Sequence, residues 1–116
     1  MGRRAAQHGL HRLNDPPLLI LTSLAGSPKH GHALAKDIEQ FAGVSLGPGT
    51  LYGAITRLEE RGLIEPVASS DRRRPYRITV AGSAALAEAV TEMKRIAAVG
   101  ARRLSVSFGL PGGIAW

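Results

Sequence analysis

Residues 47–65 read Gly47-Pro48-Gly49-Thr50-Leu51-Tyr52-Gly53-Ala54-Ile55-Thr56-Arg57-Leu58-Glu59-Glu60-Arg61-Gly62-Leu63-Ile64-Glu65, and this stretch decides the fold. Pro48 suits a first helical turn, because its ring presets φ and its missing N–H has no intrahelical partner there. Leu51, Ala54, Ile55 and Leu58 recur at i, i+3, i+4 and i+7, which makes one apolar stripe. The other face carries Thr50, Tyr52, Gly53, Thr56 and Arg57, which are small, hydroxylated or cationic. Gly62 is placed to stop the helix in the left-handed conformation. Such a helix buries one side and offers the other to phosphates and base edges.

Working back from it, Val44-Ser45-Leu46 is a short link, and Gly43 closes a preceding helix that opens at His30-Gly31-His32. Ala33, Leu34, Ile38 and Phe41 form the expected inner stripe of that helix, with Lys36, Asp37, Glu39 and Gln40 facing out. Two short helices joined by a tight turn, the second with a polar cationic face, match a helix-turn-helix. Further back, Asn14-Asp15-Pro16-Pro17 starts a first helix, with Asn or Asp as cap and Pro in the first turn. Leu18, Leu19, Ile20, Leu21 and Leu24 make it apolar nearly all round, so it belongs in the core, and Gly26-Ser27-Pro28 ends it. Residues 1–13 hold Arg3, Arg4, His8, His11 and Arg12 and are expected to form a flexible basic arm.

Working forward, Leu63, Ile64 and Val67 predict a short strand, and Pro75-Tyr76-Arg77-Ile78-Thr79 a return strand with Tyr76 and Ile78 on one face. Between them lies a polar turn with Arg72-Arg73-Arg74 at its tip, which after a helix-turn-helix reads as the wing of a winged helix. Thr79 can cap a last helix expected over 80–104. Along it Leu86, Val90, Met93, Ala97, Gly100 and Leu104 step by 4, 3, 4, 3 and 4, a heptad seam. Ile96 and Val99 widen the stripe. A seam this long exceeds what so small a core covers, so it predicts a homodimer interface, with folding back onto its own domain as the alternative. Gly100 weakens the helix locally by about 1 kcal/mol relative to Ala. Residues 105–116 end in Pro111-Gly112-Gly113-Ile114-Ala115-Trp116 and are expected to be an irregular apolar tail.

The 116 residues suffice for one small-cored domain. Fifteen Lys and Arg oppose nine Asp and Glu, for a net charge of +6, which argues for an anionic partner. The absence of cysteine excludes disulfides and thiolate metal sites and is compatible with a reducing cytoplasm. The longest apolar run, at 16–21, is far short of a membrane span, and no signal-peptide core is present. No acid–base pair or nucleophile elbow is visible. The segment Gly47-Pro48-Gly49 lacks the lysine and spacing of a phosphate loop. The four histidines have no metal-ligand spacing. The expectation is therefore no enzyme, no cofactor and no metal.

Four segments carry a family resemblance: Pro28-Lys29-His30-Gly31-His32-Ala33-Leu34, Pro48-Gly49-Thr50-Leu51-Tyr52, Arg57-Leu58-Glu59-Glu60 with Gly62-Leu63-Ile64, and Pro75-Tyr76-Arg77-Ile78-Thr79 with Gly82. In this order and spacing the chain resembles the PadR family of bacterial transcriptional regulators. The resemblance implies a mainly α fold with a small β-hairpin: a winged helix-turn-helix at 14–79 followed by one long C-terminal dimerisation helix, the short form of the family. It implies a dimer that represses a nearby promoter, and in such families a small molecule often relieves repression. The dimer is expected in the cytoplasm, and docking of two helix-turn-helix units predicts a pseudo-palindromic operator. Carried over residue by residue are Gly49, Thr50, Tyr52, Arg57, Arg72, Arg73 and Arg74, and with Lys29, His30 and Arg77 they make up the expected DNA-binding set. The chain departs from the pattern at His32, where an aromatic is usual, and at Gly53, where Pro is common. A winged helix used as a protein-interaction adaptor is the alternative, since a fold does not fix a function.

Overall fold

The computed structural model describes residues 14–69 and 72–108. The basic arm at 1–13, wing residues 70 and 71, and the tail from 109 to Trp116 lie outside the described residues. The elements follow in the order α1 (Pro16–Gly26), α2 (Gly31–Ala42), α3 (Pro48–Glu60), β1 (Ile64–Pro66), β2 (Tyr76–Ile78) and α4 (Val80–Phe108). The chain divides into two compact units after Leu86.

In the first unit, α1 buries Leu19, Ile20, Leu21 and Leu24, as its all-round apolar sequence requires. Against it pack Leu34 and Ile38 from α2, and Leu51, Ala54, Ile55 and Leu58 from α3. Each fully buried aliphatic side chain stabilises the fold by about 1.5–3 kcal/mol. One buried polar group joins this core: the Ser23 hydroxyl donates to Asp37 Oδ2 at 2.6 Å and ties α1 to α2. Asp15 occupies the N-cap position of α1 without a side-chain cap bond, and the prolines supply the helix start.

Phe41 departs from the expected inner stripe, remaining 47 % exposed. It shares the azimuth of Leu34 and Ile38 but sits in the last turn of α2. There Gly43, at φ 67°, turns the chain away. At the end of α3 the backbone closes a Schellman motif. Gly62 takes φ 74°, its N–H donates to the Glu59 carbonyl, and the Leu63 N–H donates to the Leu58 carbonyl.

β1 and β2 pair antiparallel in the register Ile64 with Ile78, Glu65 with Arg77 and Pro66 with Tyr76. Ile64 and Tyr76 are buried on the core side. A further pairing does not follow from the sequence pattern. Lys29 forms a bridge with Tyr76, its N–H donating to the Tyr76 carbonyl at 3.1 Å and its carbonyl accepting the Tyr76 N–H at 2.8 Å. The linker between α1 and α2 is thereby fastened to the wing.

Thr79 joins two helix ends. Its hydroxyl accepts from the Gly82 N–H at 3.0 Å, capping α4, and donates to the Gly62 carbonyl at 2.7 Å. Gly82 is buried, and a β-carbon there would overlap the Leu63 carbonyl and crowd Ile78. In the second unit the remainder of α4 continues through Gly100 to Phe108, beyond the expected end at Leu104. Residues 105–108 contain neither Gly nor Pro, so nothing in them opposes another helical turn, and the next breakers are Gly109 and Pro111. Ile96 is 59 % and Leu104 43 % exposed.

Candidate nucleic-acid interface

α3 presents the face its sequence describes. Gly49, Thr50, Tyr52, Thr56 and Arg57 are exposed. A β-carbon on Gly49 would meet nothing within 4 Å, so packing within the chain does not require glycine there. The Thr56 hydroxyl donates to the Tyr52 carbonyl at 2.9 Å and is turned back on its own helix. A β-carbon on Gly53 would lie 3.7 Å from Arg57 Nη1. The Arg57 guanidinium therefore lies back along the helix over Gly53, a path that a larger side chain at 53 would narrow.

Beside this face is a cleft of about 270 Å³. The start of α2 contributes His30, Gly31 and His32, α3 contributes Tyr52, and the wing contributes Arg72, Arg73, Arg74 and Tyr76. Among the described residues no Asp or Glu lines it, and three arginines do. Low-dielectric walls of one sign concentrate the field and draw anions in. His30 is the N-cap of α2, where its Nδ1 accepts the Ala33 N–H at 3.3 Å. This assigns the ring its other nitrogen, Nε2, as the outward donor when neutral. His32 stacks on His30 with ring centroids 6.4 Å apart and planes 11° from parallel.

Lys29 and Arg77, both expected to bind DNA, have partners inside the chain. Lys29 Nζ donates to the Ser23 carbonyl at 2.7 Å, to the Ser27 carbonyl at 3.1 Å and to Ser27 Oγ at 3.2 Å. Its three donors thus cap the end of α1. Arg77 Nε donates to Glu65 Oε2 at 2.6 Å across the hairpin, with both side chains about half exposed. Of the expected residues, then, the structure gathers His30, Tyr52, Arg72, Arg73 and Arg74 in one cleft. It leaves Gly49, Thr50 and Arg57 on the adjoining helix face and turns the end groups of Lys29 and Arg77 to other work. Gly31, His32 and Tyr76, which are outside the expected set, complete the cleft. Their signals in the sequence are the His30-Gly31-His32 that opens α2 and the aromatic of the return strand.

Among the described residues no group of three or more His, Cys, Asp or Glu could hold a metal ion. No described helix is long and apolar enough to cross a membrane.

The chain is similar to several known proteins. It is 44 % identical over 85 residues to an uncharacterized 37.1 kDa protein in transposon TN4556 of Streptomyces fradiae, a match that covers 73 % of this chain and 25 % of that protein. The chain thus spans about a quarter of that relative's length. It is 40 % identical over 74 residues to the transcriptional regulator Rv3488 of Mycobacterium tuberculosis, covering 61 % of this chain and 68 % of the relative. Among solved structures, a PadR family transcription regulator from Clostridium difficile R20291 superposes with a TM-score of 0.69 at 26 % identity. That match covers 77 % of this chain and 97 % of the other. The model of the PadR-like family of transcriptional regulators matches residues 20–88, more than half of the chain, from α1 into α4. On that match the chain belongs to the PadR-like family of transcriptional regulators.

Proposed function

We propose that the chain is a DNA-binding transcriptional regulator that represses a nearby promoter as a homodimer in the bacterial cytoplasm. The observation that carries this reading is the cleft of three wing arginines beside the exposed face of α3. In it, residues 14–79 are the DNA-binding domain and the helix that follows holds two copies together. The recognition helices, α3 of each copy, enter successive major grooves about one helical turn apart on a pseudo-palindromic site. Thr50 and Tyr52 donate to phosphates or base edges, Arg57 reaches a guanine or a phosphate, and Arg72, Arg73 and Arg74 lie over the adjacent backbone or minor groove. Gly49 lets the backbone of α3 come close to a phosphate.

Dimerisation is supported by the seam from Leu86 to Leu104 and by the exposure of Ile96 and Leu104. Relief by a small-molecule effector belongs to the same reading. A reporter fused to the DNA upstream of the chain's own coding sequence tests it. Expression of the chain should lower reporter output, and Arg72→Ala/Arg73→Ala/Arg74→Ala should restore it. Unchanged output in both cases would favour the adaptor reading.

A further inference from the structure

Gly31 is the N1 residue of α2 and is buried. Nothing in its backbone demands glycine, because the only positive φ angles among the described residues are at Gly43 and Gly62. Alanine would favour the helix. What excludes a side chain is Tyr52. A β-carbon on Gly31 would overlap the Tyr52 hydroxyl and come within 2.7 Å of Cζ and 2.9 Å of Cε1. The phenol of α3 thus lies on the first turn of α2, its oxygen in the volume that a methyl would fill. Tyr52 is nevertheless 50 % exposed, so its other side faces the cleft. The same turn ends in the N–H groups of Gly31 and His32, which lack intrahelical partners, whereas that of Ala33 is taken by His30.

We infer that Gly31 is a positioning residue for nucleic-acid binding. Its missing side chain lays Tyr52 across the start of α2, where the hydroxyl donates to a backbone phosphate rather than to a base edge. The inference rests on the DNA-binding reading above and deepens it by assigning Tyr52 to backbone contact. The Tyr52 ring can swing outward, unlike a backbone group, so Gly31→Ala should keep the fold and displace only the phenol.

The test uses the full chain and two duplexes, one carrying its upstream region and one scrambled, read by fluorescence anisotropy alongside a thermal melt. Tyr52→Phe should weaken binding to both duplexes by an equal factor of about 10, the size of one hydrogen bond to a charged group. Gly31→Ala should melt no lower than the unaltered chain and lose a similar factor. In a Tyr52→Ala background, Gly31→Ala should cost nothing more. Wild-type affinity for Gly31→Ala, or losses that multiply in the double variant, would overturn the positioning role. A Tyr52→Phe loss confined to the upstream duplex would overturn the phosphate assignment. No binding by the unaltered chain to either duplex would instead sink the DNA-binding reading itself.

Discussion

At Gly82 a β-carbon would run into the Leu63 carbonyl, a backbone atom held by its own hydrogen bond from the Thr79 N–H at 3.1 Å. Neither partner can step aside, so Gly82→Ala should destabilise the fold by about 1–3 kcal/mol, as overpacking usually does. A urea midpoint that falls with an unchanged slope would register it. Gly31 faces a movable side chain instead, and the two glycines should separate stability from binding. Arg57 carries a different kind of prediction. If it reads a base, Arg57→Ala should weaken binding to the native duplex by about 1–3 kcal/mol with little effect on a scrambled one. Equal weakening on both would make it a phosphate contact.

At the scale of elements, periodicity and punctuation account for what was legible in the sequence. α3 follows from Pro48, the 3–4 spacing of its buried residues and Gly62, and all four stripe residues are buried. Phe41 has the right azimuth but the wrong depth, since a helical wheel carries no information about distance along the axis. The Lys29–Tyr76 bridge is a single residue pair and has no period to detect. The site was legible as residue types and not as partnerships. Sequence marks Lys29 and Arg77 as cations but cannot show that they meet the Ser23 carbonyl and Glu65. Nor can it show that Tyr52 meets Gly31 across two helices. The wing is the element whose charge is easiest to test. If its arginines touch phosphates, Arg72→Ala/Arg73→Ala/Arg74→Ala should flatten the plot of log affinity against log salt by about 0.9 for each phosphate no longer neutralised. An unchanged slope would place the wing away from the DNA.

At the scale of the whole molecule, recognition of a two-fold operator requires two copies. Met93→Glu and Leu104→Glu place charges in the seam of α4 while leaving the buried residues of the first unit intact. Sedimentation should therefore show a shift from dimer to monomer without loss of the winged-helix fold. Half-site spacing then follows from dimer geometry, and a monomer should lose most of its preference for a two-fold site. The most direct measurement is binding of the purified chain to a duplex carrying its own upstream region and to a scrambled duplex. It should be made at two salt concentrations, with the mass of the complex determined. The expected result is a complex of two chains per duplex, clear preference for the native sequence, and weakening on both duplexes as salt rises. Absence of binding to either duplex at low salt would contradict a DNA-binding regulator.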